Sequence, residues 1–250
     1  MVEALLQTEG LSRRFGALAA VDGVSLGFAE GEVHAVIGPN GAGKSTFLNL
    51  LSGELRATAG TVRFRGEDLT RASPDRISRL GIGRSYQTAN VFAELPCAEC
   101  LWLAAQSRVR TSMLFFWPAE QYAEVGVRAE RALHACKLQE RRFTPARELS
   151  YGEQRQLEIG MIVATEPQVL LLDEPLAGLS HAEALAILDL LREVKRGRTL
   201  VLVEHDMDAV FAIADRVTVL VQGRVLETGT PEQIRKSAAV REAYLGTEQP

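Results

Sequence analysis

Nine consecutive residues, Gly38-Pro39-Asn40-Gly41-Ala42-Gly43-Lys44-Ser45-Thr46, have the types and spacing needed to hold a polyphosphate. The glycines let backbone N–H groups turn inward and approach phosphate oxygens closely. A helix is expected to begin at Lys44, so its free N–H groups and positive dipole end would face the anion. Lys44 adds a point charge for the β- and γ-phosphates, and the Ser45 hydroxyl can ligate Mg²⁺. The chain has only four lysines, so one at this place in the pattern is not background. The loop is expected to bind a nucleoside triphosphate.

A second landmark is Val169-Leu170-Leu171-Leu172-Asp173-Glu174-Pro175. A wholly apolar strand ending in two acids sets them at the carboxyl edge of a sheet, where open α/β sheets bind ligands. Asp173 is expected to hold Mg²⁺ through its water shell, and Glu174 to act as the base that polarises an attacking water. These two landmarks by themselves leave kinases, GTPases and many motors open.

Apolar runs of strand length alternate with helical patterns, which argues for an α/β fold with a mostly buried sheet. Val33–Ile37 reads as a buried strand, followed by the loop and a helix from about Lys44 to Leu51. Thr61–Arg65 is a short strand closed by a Gly66-Glu67-Asp68 turn. From about Leu95 to Ile162 the pattern is mainly helical, broken near Trp117-Pro118 and Thr144-Pro145. Strand-rich chain then returns: Val169–Asp173, a helix over His181–Lys195, Thr199–Glu204 and a helix over Met207–Ala214. Arg216–Val221 and Arg224–Glu227 form a hairpin about Gly223, and short helices finish the chain. The reading is one domain, residues 1–250. Residues 1–94 and 163–250 form a nucleotide-binding core, and about 95–162 form a helical subdomain.

Composition excludes several classes. At 46% hydrophobic and 24% charged, the chain is neither disordered nor a collagen-like repeat nor a small disulfide scaffold. Its apolar stretches, such as Val169–Leu172 and Met113–Trp117, fall far short of the roughly 20 residues a membrane helix needs. The Met1-Val2-Glu3-Ala4 start carries no basic leader, so no export segment is expected. A net charge of −4 gives no general attraction for nucleic acid or anionic lipid. The six arginines between Arg63 and Arg84 are interspersed with acids and read as a solvated face. Cys97, Cys100 and Cys136 suit a reducing compartment and read as small buried thiols.

The open question of class is narrowed by Leu149-Ser150-Tyr151-Gly152-Glu153-Gln154, just before the acidic strand, and by Glu204-His205-Asp206 after the next one. With the phosphate loop they resemble the ATP-binding cassette family, the ATPase subunits of ABC transporters, over essentially the whole chain. The resemblance implies a P-loop NTPase core, a mixed sheet flanked by helices, with an antiparallel β subdomain and a helical insertion. It implies ATP and Mg²⁺, with Ser45, Gln87 and Asp173 on the metal and Glu174, His205 and Gln87 around the attacking water. It further implies that Phe15, in Arg13-Arg14-Phe15-Gly16, stacks on adenine. Ser150, Tyr151, Gly152 and Glu153 would open a helix facing the γ-phosphate held by an opposing subunit.

Three residues depart from the family pattern. The signature segment usually reads Leu-Ser-Gly-Gly-Gln; here Tyr151 and Glu153 stand at its third and fifth positions. A carboxylate beside a γ-phosphate is repelled, so Glu153 is expected to turn towards ribose hydroxyls or solvent. Ser180 stands where the family often has an aspartate that helps join two active sites. The variant signature, Val203-Glu204-His205-Asp206-Met207-Asp208, Gly81-Ile82-Gly83-Arg84-Ser85-Tyr86-Gln87 and Tyr244-Leu245-Gly246 are most similar to the branched-chain amino-acid uptake ATPases. Urea-type uptake ATPases lie close by. The resemblance implies transmembrane permease subunits, a second ABC ATPase subunit and, indirectly, a periplasmic solute-binding protein as partners. It puts the chain at the cytoplasmic face of the membrane, with no nucleic acid bound. A dock for the permeases is expected near Thr88–Leu95, with Val91 and Phe92 as anchors. The alternatives are a soluble cassette acting on DNA or ribosomes, whose usual coiled-coil insertion, tandem cassette or basic extension is not seen here, and a nucleotide-binding module without turnover.

Overall fold

A computed structural model describes residues 4–85, 91–108 and 119–245. Three short strands, β3 (Val33–Ile37), β7 (Val169–Asp173) and β8 (Thr199–Val203), are buried at every position. Strands covered on both faces need no hydrophilic alternation, so their near-continuous Val, Leu and Ile content fits the centre of a parallel sheet. They lie in a six-stranded sheet of order β10-β9-β3-β8-β7-β6, with β6 at Ile82–Arg84, β9 at Arg216–Val221 and β10 at Arg224–Gly229. All neighbours are parallel except the β9–β10 hairpin, so the sheet is mixed.

The register decides where the chemistry gathers. Val36 pairs with Val203 and Asp173 pairs with Val203, so β3, β7 and β8 end side by side. Their carboxyl ends release the phosphate loop, the two acids and the Glu204-His205 segment along one edge.

A second, antiparallel sheet of order β2-β1-β4-β5 covers one face. It is built by β1 (Ala4–Phe15), β2 (Leu18–Ala29), β4 (Ala59–Phe64) and the two-residue β5 (Glu67–Asp68). Between the sheets lies α1 (Lys44–Leu51), which buries Phe47, Leu48 and Leu51 against Phe28, Val36, Leu171 and Val201. Each such side chain stabilises the fold by about 1.5–3 kcal/mol. The loop's helix is thereby locked into the core.

On the opposite face α5 (Tyr151–Ala164) and α6 (His181–Val194) pack Ile159, Ile187 and Leu191 onto Leu170, Leu172 and Leu202. The helical lobe is α3 (Cys97–Gln106), α4 (Ala119–Ala135) and α5 around Leu101, Leu133 and Leu157. All three cysteines are buried in it, and burial pushes the thiols of Cys97 and Cys136 up to about 11 and about 12. The helices α7 (Met207–Ile213), α8 (Pro231–Lys236) and α9 (Ala238–Leu245) close the far end over Ile37, Val217 and Val219.

The mixed sheet, the antiparallel β subdomain and the helical insertion agree with the sequence expectation. Three local features differ from it. Residues 67–68, read as a turn, pair with Arg63 and Phe64 as a short edge strand. A helix unread in the sequence, α2 (Pro74–Leu80), starts at the Ser73 cap with proline in its first turn and stops at Gly81. The Ile82–Tyr86 run before Gln87 also reads as a strand in the sequence, whereas β6 ends at Arg84.

Candidate nucleotide site

Gly38 leaves β3 and Gly43 caps α1, with φ of 153° and 96°. A side chain at Gly43 would collide with the Ala20 carbonyl, and one at Gly38 with that of Leu220. Close packing of β2 and β9 therefore requires glycine at both positions. Lys44 is buried, and its Nζ donates to the carbonyls of Gly38 (2.7 Å) and Pro39 (3.1 Å), holding the loop closed around itself. Burial pulls its pKa down, opposed by the charges of Glu174 and Asp173.

Ser45 Oγ donates to Asp173 Oδ1 at 3.2 Å. Burial pushes the Asp173 carboxyl up, while Arg84, 3.8 Å away, and Ser45 act against it. Asp173 N donates to Ser85 Oγ at 3.2 Å. A hydroxyl and a carboxylate this close are hard oxygen donors of the kind Mg²⁺ takes, with phosphate and water oxygens completing its shell. The two residues fit that ion.

Glu174 follows in a left-handed conformation, φ 47°, and its N–H donates to the Val203 carbonyl at 2.9 Å. With Lys44, Thr46, Asn40, Phe15 and Gln222 it lines a cavity of about 720 Å³. Phe15 forms the far wall: it is 44% exposed, with the Arg13 guanidinium 4.6 Å from its ring centroid. The structure thus brings the phosphate loop, the catalytic candidate and the aromatic candidate to one cavity.

The strand expected to reach Glu204 ends at Val203, and His205 lies two residues beyond it, with an exposed side chain that does not line this cavity. Its backbone N–H donates to Glu204 Oε2 at 3.2 Å, and its Nδ1 lies 3.8 Å from the same oxygen. Glu204 is fully buried; its Oε1 accepts from Leu176 N at 2.8 Å, and burial pushes its carboxyl up. Gln87 falls outside the described residues, as do Thr88 and the Met113–Trp117 cluster. Val91 packs on the helical lobe, while Phe92 is half exposed and borders a separate cavity of about 300 Å³ with Arg84, Leu103 and Met161.

Ser150 caps α5, accepting from Glu153 N. Glu153 does not turn to solvent or reach outward as expected. Its Oε2 accepts from Ser150 N at 2.8 Å and its Oε1 from Arg141 Nε at 3.0 Å, completing a capping box. Burial raises its pKa, but these bonds outweigh it and hold the carboxyl below its ordinary value. Tyr151 is 45% exposed. Gly152 N donates to Glu183 Oε1 at 3.2 Å, while Glu183 Oε2 accepts from Ser180 N and Oγ at 3.0 and 2.7 Å. None of Ser150, Tyr151, Gly152 and Glu153 lines the cavity around Lys44.

Sequence reasoning gave no part to Arg84, Arg155, Glu183 or Tyr244. Tyr244, on α9, packs on the cluster that contains Ile37, the residue before Gly38. Burial pushes its hydroxyl up to about 12. The C-terminal helix thus braces the residue that leads into the phosphate loop. The only signal in the sequence was Tyr244's place in a recurrent C-terminal tripeptide, which carries no geometry.

Comparison with known proteins agrees with this geometry. Residues 21–177 match the family model described as ABC transporter. Residues 224–249 match one described as branched-chain amino acid ATP-binding cassette transporter. The chain is 40% identical to the high-affinity branched-chain amino acid transport ATP-binding protein LivG of Salmonella typhimurium, covering 98% of this chain and 99% of that one. It is 39% identical, with the same coverage, to the corresponding protein BraF of Pseudomonas aeruginosa. Among solved structures, a nucleotide-free ATP-binding cassette from an ABC transporter superposes with a TM-score of 0.83 at 31% identity, covering 96% of this chain and 98% of that one. A cassette in its ADP conformation gives 0.82 at 29% identity, covering 97% and 98%. The chain belongs to the ABC transporter family, as an ATP-binding cassette ATPase of the branched-chain amino acid type.

Proposed function

We propose that this chain is the motor subunit of an importer, hydrolysing ATP at the cytoplasmic face of a membrane to drive uptake of branched-chain amino acids. The observation that carries this reading is the single cavity shared by Lys44, Glu174 and Phe15, with the Ser45–Asp173 pair beside it. No helix among the described residues is long and apolar enough to cross a membrane, so coupling to transport calls for permease subunits. A periplasmic binding protein would deliver the solute on the other side.

The parts given to Phe15, the loop, Asp173 and Glu174 are supported by their surroundings, and those of Gln87 and His205 by the family pattern. Phe15 offers an open aromatic face for adenine, already backed by Arg13. Backbone N–H groups of Asn40, Gly41 and Gly43 and the amino end of α1 receive the phosphates. Lys44 exchanges its two loop carbonyls for phosphate oxygens. Ser45 and Asp173 would hold Mg²⁺, which neutralises charge building up on the β- and γ-phosphates. Glu174 orients and polarises the attacking water, and His205 steadies it from just beyond β8. Gln87 contributes a third polar group to the metal and the water. Catalysis then rests on position and charge compensation.

Ser150 and Gly152 stand apart from the cavity, at the exposed amino end of α5. That supports a role in trans, completing the phosphate shell of a second cassette, whether a copy of this chain or a relative. The division into a core (1–94 and 163–250) and a helical lobe (about 95–162) lets the lobe swing that helix in and out. Val91 and Phe92, beside the cavity between core and lobe, form the proposed seat for a permease segment.

The test is reconstitution in proteoliposomes with two permeases, a second cassette and a solute-binding protein. Labelled leucine should accumulate only with internal ATP. ATP consumption that no branched-chain amino acid stimulates would overturn the assignment of solute.

A further inference from the structure

The segment that follows β7 is gripped by α5 at two points. Arg155, in the second turn of α5, is 2% exposed, and its Nε donates to the Pro175 carbonyl at 3.3 Å. Nη2 donates to the carbonyls of Asp173 and Glu174, each at 3.0 Å, and Nη1 to Glu158 Oε2 at 2.6 Å. One planar fork therefore fixes three successive carbonyls, a task no single ammonium can match. The middle carbonyl belongs to Glu174, whose φ of 47° a non-glycine residue keeps only where its surroundings impose it. At the other end of the segment, Glu183 accepts from Gly152 N in the first turn of the same helix.

We infer that Arg155 is a positioning residue for Glu174. It holds the backbone that aims the carboxylate and fastens that backbone to the helix opening at Ser150. A shift of α5's exposed end, such as engagement with a second cassette, is transmitted through this fork to the water-polarising group of the same chain. Ser180 takes part in this grip, its N–H and hydroxyl both donating to Glu183 Oε2, so that Glu183 and Arg155 supply a connection within one subunit. The inference rests on the role of Glu174 given above.

Removing Arg155 alone would take a charged partner at 2.6 Å from Glu158, which is 4% exposed. The informative variant is the double substitution Arg155→Met with Glu158→Gln, alongside Arg155→Lys with Glu158 intact. Both are assayed in the reconstituted transporter, and as the single subunit with a ribose-labelled ATP analogue. The Kd for the analogue should stay within about twofold while kcat for phosphate release falls roughly 10- to 100-fold, the scale of a misplaced catalytic group. Arg155→Lys should fall between the two. A folded double variant with unchanged kcat overturns the inference, as does a Kd that worsens in step with kcat. Should the double variant fail to fold, Arg155→Lys carries the same comparison. Wild-type transporter that releases no phosphate would sink the role of Glu174 itself, and the inference with it. An active wild type beside an unaffected variant sinks the inference alone.

Discussion

Replacing Phe15 with alanine is the sharpest test of how the site holds its nucleotide. The ring is 44% exposed at the end of β1, so little of the fold depends on it, and substitution should alter stability by only about 0.5 kcal/mol. One face is covered by Arg13 at 4.6 Å, which leaves the other free for a base. Stacking of a base on an aromatic side chain contributes about 1–3 kcal/mol. At about 1.4 kcal/mol per tenfold, Phe15→Ala should raise the Kd for ATP roughly 5- to 150-fold. Titration with a ribose-labelled ATP analogue measures this directly. Inorganic triphosphate, which lacks a base, should compete equally well with both proteins. Phe15→Trp should restore affinity. A Kd unchanged within about twofold, or an equal loss for inorganic triphosphate, would refute the stacking argument.

Three further outcomes follow from other parts of the site. Glu204 has its pKa raised from the ordinary 4.5 by burial, so its contribution to stability is complete below that value and is lost as pH rises through the raised one. Glu204→Gln keeps an acceptor for Leu176 N and should raise the melting temperature above neutral pH, with the gain vanishing below about pH 4; a gain that grows on acidification would contradict this. Tyr244→Ala should lower the melting temperature, because the ring packs on the cluster that contains Ile37, whereas Tyr244→Phe, which keeps the ring, should leave it unchanged. In Gly152→Ala a new Cβ would lie 2.7 Å from Glu183 Cγ. Phosphate release by the assembled transporter should drop sharply while the isolated subunit binds ATP as before; impaired binding in that subunit would count against action in trans.

The parts of this fold dominated by local pattern were legible from the residues. The strands Val33–Ile37 and Val169–Asp173 and the helix Lys44–Leu51 coincide with their expected bounds. Buried apolar runs ending in glycine or acid leave little choice. The twelve-residue strands β1 and β2 were not delimited, because their pairing is interrupted by register shifts and by Gly10 and Gly23, which blur the two-residue alternation. The seven-residue α2 is too short for a helical period to emerge and is announced only by Ser73-Pro74. The loop and acidic pair were visible because adjacent residues act together. Arg155, Glu183 and Tyr244 were not, since each acts on a part of the chain that only the tertiary fold brings near. Glu153 was misjudged for a related reason: its partner Arg141 is twelve residues away, and the capping bond to Ser150 competes with any outward reach.

Glu174, the acid just after β7, is proposed to govern turnover in the cavity around Lys44. Phosphate release by the assembled transporter, compared between wild type and Glu174→Gln at saturating ATP, measures it most directly. The variant should bind ATP with the wild-type Kd yet release almost no phosphate. Release at the wild-type rate would contradict that role.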